Sequence, residues 1–153
     1  MKGKKSSADL SVKKILVPID FSSHSKHALQ HALAYAKQFT AELILIYVVE
    51  PTIYPADLSF GQVAFPNFEK DLRNRGKEEL DSLAQSVIGK AAKSKTLIRT
   101  GKPFLEILSV AEEEEVDLII IATHGHTGVE HLLFGSTAEK VVRKATCPVL
   151  VVR

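Results

Sequence analysis

Val116-Asp117-Leu118-Ile119-Ile120-Ile121-Ala122-Thr123-His124-Gly125-His126-Thr127-Gly128 leads, a few residues on, into Phe134-Gly135-Ser136-Thr137. The apolar run Val116–Ile121 reads as a strand, the glycine-bearing stretch as a loop, and the amphipathic segment Thr137–Lys144 as a helix. A strand that empties into a glycine loop at a helix start lets backbone N–H groups come close to an anion. The helix behind it adds unpaired N–H groups and the positive end of its dipole. A phosphate site is therefore expected here, held by N–H groups at Gly125, Gly135 and Ser136 and by the hydroxyls of Ser136 and Thr137. The competing reading is structural: the glycines permit a tight turn, and Ser136-Thr137-Ala138-Glu139 is a capping box with Ser136 as N-cap.

Outward from this stretch, β-type runs alternate with helical patterns. Lys14–Ile19, Leu43–Val49, Thr96–Thr100, Asp117–Thr123 and Val149–Val152 read as strands. Leu43–Val49 has almost no polar interruption, which suits a strand buried on both faces. Ser22 or Ser23 can cap a helix in which Ala28, Leu29, Ala32, Leu33 and Ala36 recur at helical spacing. Phe68–Ala92 reads as a long charged helix, and Pro103 opens another that runs to Glu115. Glu50–Asn67, with Pro51, Pro55, Gly61 and Pro66, reads as a long loop: a lid, a partner surface or a disordered insertion. Alternating strands and helices predict an α/β fold, a doubly wound parallel sheet with helices on both faces. Ligands bind such sheets outside the carboxyl ends of the strands, where strand order reverses. The glycine loop and Asp20 both stand at such ends.

The 153 residues are 45% hydrophobic and 25% charged with a net charge of +2, which fits one soluble domain and gives no case for nucleic acid. Residues 1–12 are expected to be a flexible tail and 13–153 the domain. The apolar runs are far shorter than the roughly 18 residues that suggest a membrane span. No signal-peptide pattern follows the N-terminal lysines, and a single cysteine, Cys147, excludes an internal disulfide. A cytoplasmic protein is expected.

Other residues admit chemistry. Asp20 would repel a phosphate, so its carboxylate is better suited to ribose hydroxyls; alternatively it caps the following helix beside Ser22. His24, His27 and His31 share a helical spacing, which allows either a metal-binding face or a plain polar face. No nearby carboxylate or cysteine completes a tetrahedral set. His124 and His126 flank Gly125 and could meet phosphate, act as an acid or base, or simply be solvated. Glu112–Glu115 reads as a solvated surface. The P-loop pattern G-x-x-x-x-G-K-[ST] occurs nowhere.

Lys13-Lys14-Ile15-Leu16-Val17-Pro18-Ile19-Asp20-Phe21-Ser22 resembles the opening of the universal stress protein family, and Ala122 to Val152 resembles its nucleotide-binding end. The family's ATP-binding members carry G-x2-G-x9-G-[ST]; Gly125 and Gly135-Ser136 match its later positions, and Ala122 replaces its first glycine. The resemblance implies strand order 3-2-1-4-5 and an ATP site across the first and fourth strands. Asp20 would meet the ribose, with Pro18, Ile19, Val48 and Ile121 around adenine. Ala122, Gly125, Gly135, Ser136 and Thr137 would hold the phosphates, with Gly101 close by and Mg2+ or Mn2+ as an accompanying ion; AMP or ADP could replace ATP. It further implies a homodimer that pairs the last strand with its copy, and a regulatory or stress-related role. An enzyme using ATP at the same site and a chaperone-like dimer without nucleotide are the alternatives. No nucleophile–base pair and no obvious carboxylate pair for magnesium supports the enzyme.

Overall fold

The structure is a computed structural model that describes residues 11–51, 67–125 and 134–153. His126, Thr127 and Gly128, most of the Glu50–Asn67 stretch and residues 1–10 lie outside the described residues.

Among the described residues nine elements follow in alternation: β1 (Lys14–Pro18), α1 (Ser23–Phe39), β2 (Glu42–Val49), α2 (Phe68–Val87), β3 (Ser94–Thr100), α3 (Pro103–Glu113), β4 (Leu118–Ala122), α4 (Ser136–Lys144) and β5 (Val149–Val152). The strands form one parallel sheet in the order β3-β2-β1-β4-β5, as the resemblance implied. Register follows side-chain alternation. Ile15, Val17, Leu43, Leu45, Ile120 and Ala122 turn to one face, where they meet Ala28, Leu29 and Ala32 of α1 and Leu80 of α2. Leu16, Ile44, Ile46, Ile119 and Ile121 turn to the other, against Ile107 and Val110 of α3 and Ala138 and Val141 of α4. Each central strand thus buries both of its faces, which is why these runs lack polar residues.

Several boundaries move from the sequence reading. α2 ends at Val87, short of Ala92, because Gly89 adopts φ 50° and its N–H returns to the Ala84 carbonyl. α3 stops at Glu113, short of Glu115. Glu115 turns left-handed (φ 53°), its N–H reaching Glu112 O and that of Val116 reaching Ala111 O. This is a Schellman closure made without glycine, so the usual sequence signal was missing. β3 begins earlier, at Ser94, because Leu43 in β2 continues the register there.

The acidic run at the end of α3 is largely solvated, as expected: Glu112, Glu113 and Glu115 are exposed and Glu114 is half-buried. Glu114 pairs with Lys95 of β3 at 2.5 Å and accepts Lys14 Nζ on its carbonyl at 2.7 Å, while Glu113 pairs with Arg99. Both ion pairs join the end of α3 to β3 but stand open to solvent, which makes each a weak tie.

In α2, Gly76 is buried and faces Tyr47: a Cβ there would lie 2.6 Å from the tyrosine ring. Glycine in a helix interior costs about 1 kcal/mol relative to alanine. Here the missing side chain is the space in which Tyr47 packs, and Tyr47 in turn contacts Phe21 at 4.8 Å between centroids. No helix among the described residues is long and apolar enough to cross a membrane.

Candidate functional site

Sheet order reverses between β1 and β4, whose chains leave toward opposite faces: α1 packs on one side, α4 on the other. Divergence at this point opens a crevice at the carboxyl ends of the strands. A cavity of about 600 Å³ occupies it. Small-molecule sites span roughly 300–1,000 Å³, so the size suits a ligand as large as a nucleotide.

The cavity's polar end is built from two chain reversals. After β4, Thr123 is pinned by its N–H to Val152 O at 2.9 Å, and its own carbonyl accepts the Gly135 N–H at 2.6 Å. That second bond draws the start of α4 onto the end of β4. A Cβ on Gly135 would sit 3.0 Å from Thr123 O, and one on Gly125 would collide with Asp20 Oδ2. A side chain at Gly125 would have to displace the Asp20 carboxylate, and one at Gly135 would press on the Thr123 backbone.

Gly135, not Ser136, is the N-cap of α4: it holds extended geometry (φ −68°, ψ 158°) and its carbonyl accepts Glu139 N–H at 3.0 Å. The capping-box expectation for Ser136 is corrected accordingly. Ser136 has already entered the helix because the Thr123–Gly135 bond fixes the chain one residue earlier. Ser136 and Thr137 are the first two helical residues and line the cavity. Their N–H groups belong to the helix's unpaired first turn.

Asp20 leads the other reversal. Its Oδ1 accepts from Ser22 N–H at 2.9 Å and Ser22 Oγ at 2.5 Å, and Ser22 Oγ accepts Ser25 N–H at 3.2 Å as N-cap of α1. Asp20 therefore does help to cap the helix, while its second carboxylate oxygen lies against Gly125. Phe21 between them adopts φ 64°, a left-handed conformation rare for a bulky side chain. Such strain, of order 1–3 kcal/mol, persists where the surroundings hold it; here the Tyr47 ring and the Asp20–Ser22 bonds do so. No sequence signal marked this turn.

Of the residues expected at the site, all but Gly101 line this one cavity. Gly101 sits in the turn ahead of α3, with its N–H donated to Val49 O, and Pro103 beyond it reaches the cavity. Ala122 lies within β4, 8% exposed and at none of the left-handed backbone positions, so alanine is accommodated without strain. Leu72 of α2 and Ile107 of α3 add apolar wall that sequence reasoning did not assign. Tyr47 and Glu50 also line it. Burial, reinforced by the carboxylates of Glu79, Asp20 and Glu50, raises the Tyr47 hydroxyl above its ordinary range, so it stays a neutral phenol. His124 borders the cavity, its Nδ1 2.9 Å from Thr123 Oγ1 and its ring 5.9 Å from that of His24.

The arrangement is a slot with an apolar wall and a polar end made of backbone N–H groups at glycine and a helix start. Such a slot suits a flat base and an attached anion. Comparison with known proteins places the chain. Universal stress protein MJ0531 of Methanocaldococcus jannaschii is 38% identical over 144 residues, covering 92% of this chain and 82% of that protein. Universal stress protein MJ0577 of the same organism is 35% identical over 153 residues, covering 92% and 94%. Among solved structures, the universal stress protein UspA of Lactobacillus plantarum matches with a TM-score of 0.78 at 29% identity, over 93% of this chain and 98% of that one. More distant structures include a universal stress protein in complex with cAMP (20% identity, TM-score 0.66) and one from Archaeoglobus fulgidus in complex with dAMP (21%, 0.67). At that distance these two speak for the fold alone. The model of the universal stress protein family matches residues 11–153, and this chain belongs to that family.

Proposed function

We propose that this protein binds an adenine nucleotide, ATP or in its place AMP or ADP, in the crevice between β1 and β4, and acts as a cytoplasmic regulatory protein of the stress response. One observation carries the reading. Pro18, Ile19, Asp20, Val48 and Ile121 share a single cavity with Ala122, Gly125 and Gly135-Ser136-Thr137, at the point where sheet order reverses. Apolar side chains at its wall suit adenine, and the Gly125, Gly135 and Ser136 backbone suits phosphate. Mg2+ or Mn2+ would enter with the triphosphate, as partner to its oxygens. Residues 13–153 would act as one nucleotide-binding domain.

Equilibrium titration of the purified protein with ATP and magnesium tests this. Saturable binding at one site per chain is expected, with no phosphate release beyond the uncatalysed rate. Absence of binding would overturn the reading, and sustained phosphate release would make the protein an enzyme.

The same proposal includes a homodimer through β5. The place of β5 at one end of the sheet supports it: among the described residues no strand pairs with its outer side. Ile119 N–H bonds Pro148 O and Thr123 N–H bonds Val152 O. With Ile120 opposite Leu150 and Ala122 opposite Val152, the backbone groups of Leu150 and Val152 point to β4. Those of Val149 and Val151 therefore point outward, at the edge of the sheet. Proline at Leu150 would break the sheet's own ladder, so the informative variant is Val151→Pro, which deletes an outward N–H. Sedimentation should find a dimer in the parent and a monomer in Val151→Pro with unchanged far-UV circular dichroism. A parent that stays monomeric at tens of micromolar, or a variant dimer of equal strength, would end the β5 proposal.

A further inference from the structure

The three histidines of α1 do not act together. His24, at its start, turns toward His124, with ring centroids 5.9 Å apart. His27 and His31 instead face each other one turn apart on the exposed side of the helix, their rings edge to face at 4.8 Å and their Nε2 atoms 3.3 Å apart. Neither lines the nucleotide cavity.

At that separation one ring's Nε2–H donates to the other ring's Nε2, and a metal would take the place of that proton. Two nitrogens bound about 2.0–2.1 Å from a tetrahedral zinc ion are themselves about 3.3–3.4 Å apart. A square-planar ion would need a bite of only about 2.9 Å. Residues four apart on a helix are held at this spacing by the backbone, so little ordering is needed on binding. Each imidazole needs only to turn about its own side-chain bonds for both Nε2 lone pairs to converge.

We propose that His27 and His31 form a two-histidine chelate for Zn2+ on the exposed face of α1. Among the described residues no third histidine, cysteine or carboxylate joins them in a cluster. Water completes the tetrahedron, leaving exchangeable positions on the ion. The site is independent of the nucleotide reading and stands or falls by itself.

The test is zinc titration of the full chain, without nucleotide and above the ordinary imidazole titration range, since only the neutral ring ligates. One Zn2+ per chain is expected to bind, and saturating zinc should raise the unfolding temperature by bridging two turns of α1. His27→Ala and His31→Ala should each weaken binding at least about tenfold, no less than the loss typical of outer-shell changes. Both should shrink the thermal shift at a given zinc concentration. Their positions are exposed and alanine favours helix, so the variants will fold. His24→Ala should bind like the parent. Two outcomes overturn the proposal: no saturable uptake by the parent below about 1 mM Zn2+, or equal affinity in parent and the double variant His27→Ala/His31→Ala, which puts the metal on other residues.

Discussion

Gly135→Val is expected to reduce ATP affinity by at least about a hundredfold. The backbone angles of Gly135, φ −68° and ψ 158°, are ones valine adopts readily, so the conformation itself is no obstacle. The obstacle is room. The first side-chain carbon would meet Thr123 O at 3.0 Å, and that carbonyl is the acceptor for the Gly135 N–H at 2.6 Å. Relief requires Gly135 and Thr123 to part by at least a few tenths of an ångström, more once valine's two methyl groups are placed, and that shift displaces the N–H groups of Ser136 and Thr137 from the phosphate. Two charge-assisted hydrogen bonds lost to phosphate, at roughly 1.5–3 kcal/mol each, amount to about two to four orders of magnitude in affinity. Overall stability should fall much less, because Ala138 and Val141 keep α4 in the core. Isothermal titration with ATP, beside thermal unfolding of the same preparations, separates the two effects. Parent-like ATP affinity in a folded Gly135→Val protein would remove the phosphate from this loop.

The result bears on why this site was partly readable from sequence. Glycine spacing reports where the chain is crowded, and its own packing explains both positions: the Asp20 carboxylate lies against Gly125, and the Thr123 carbonyl against Gly135. The fold was equally legible because strands buried on both sides must be apolar throughout, as Leu43–Leu45 and Ile119–Ile121 are. Features set by contacts distant in sequence escaped. Ser136 has the composition of a cap, yet the hydrogen bond from Gly135 to Thr123 decides which residue caps. Leu72 and Ile107 look like any other residues of an amphipathic helix, and only the packing of α2 and α3 brings them to the cavity wall. Phe21 gives no hint of its left-handed turn, because neighbours impose it.

Asp20 offers the sharper discrimination, because its two carboxylate oxygens have different surroundings. Oδ1 accepts the Ser22 N–H and hydroxyl, which secures the start of α1; Oδ2 lies at Gly125, within the cavity. Asp20→Ala should therefore do two things. It should lower stability by about 1–3 kcal/mol, the range for losing hydrogen bonds to a charged acceptor. It should also weaken ATP by roughly tenfold to a hundredfold through the lost ribose contact. Inorganic triphosphate, which has no ribose, should bind nearly as before, and removing a negative charge near the loop favours it if anything. Asp20→Asn separates the two roles. Its carbonyl can still accept from Ser22, so most of the stability should return. Its amide, however, can only donate where ribose hydroxyls would donate to a carboxylate, so ATP affinity should remain well below that of the parent. The measurements are denaturant unfolding of all three proteins and competition binding of ATP against triphosphate. Equal losses for the two ligands in Asp20→Ala would confine Asp20 to capping α1. Full recovery of ATP affinity in Asp20→Asn would likewise show that the carboxylate's charge contributes nothing to the nucleotide.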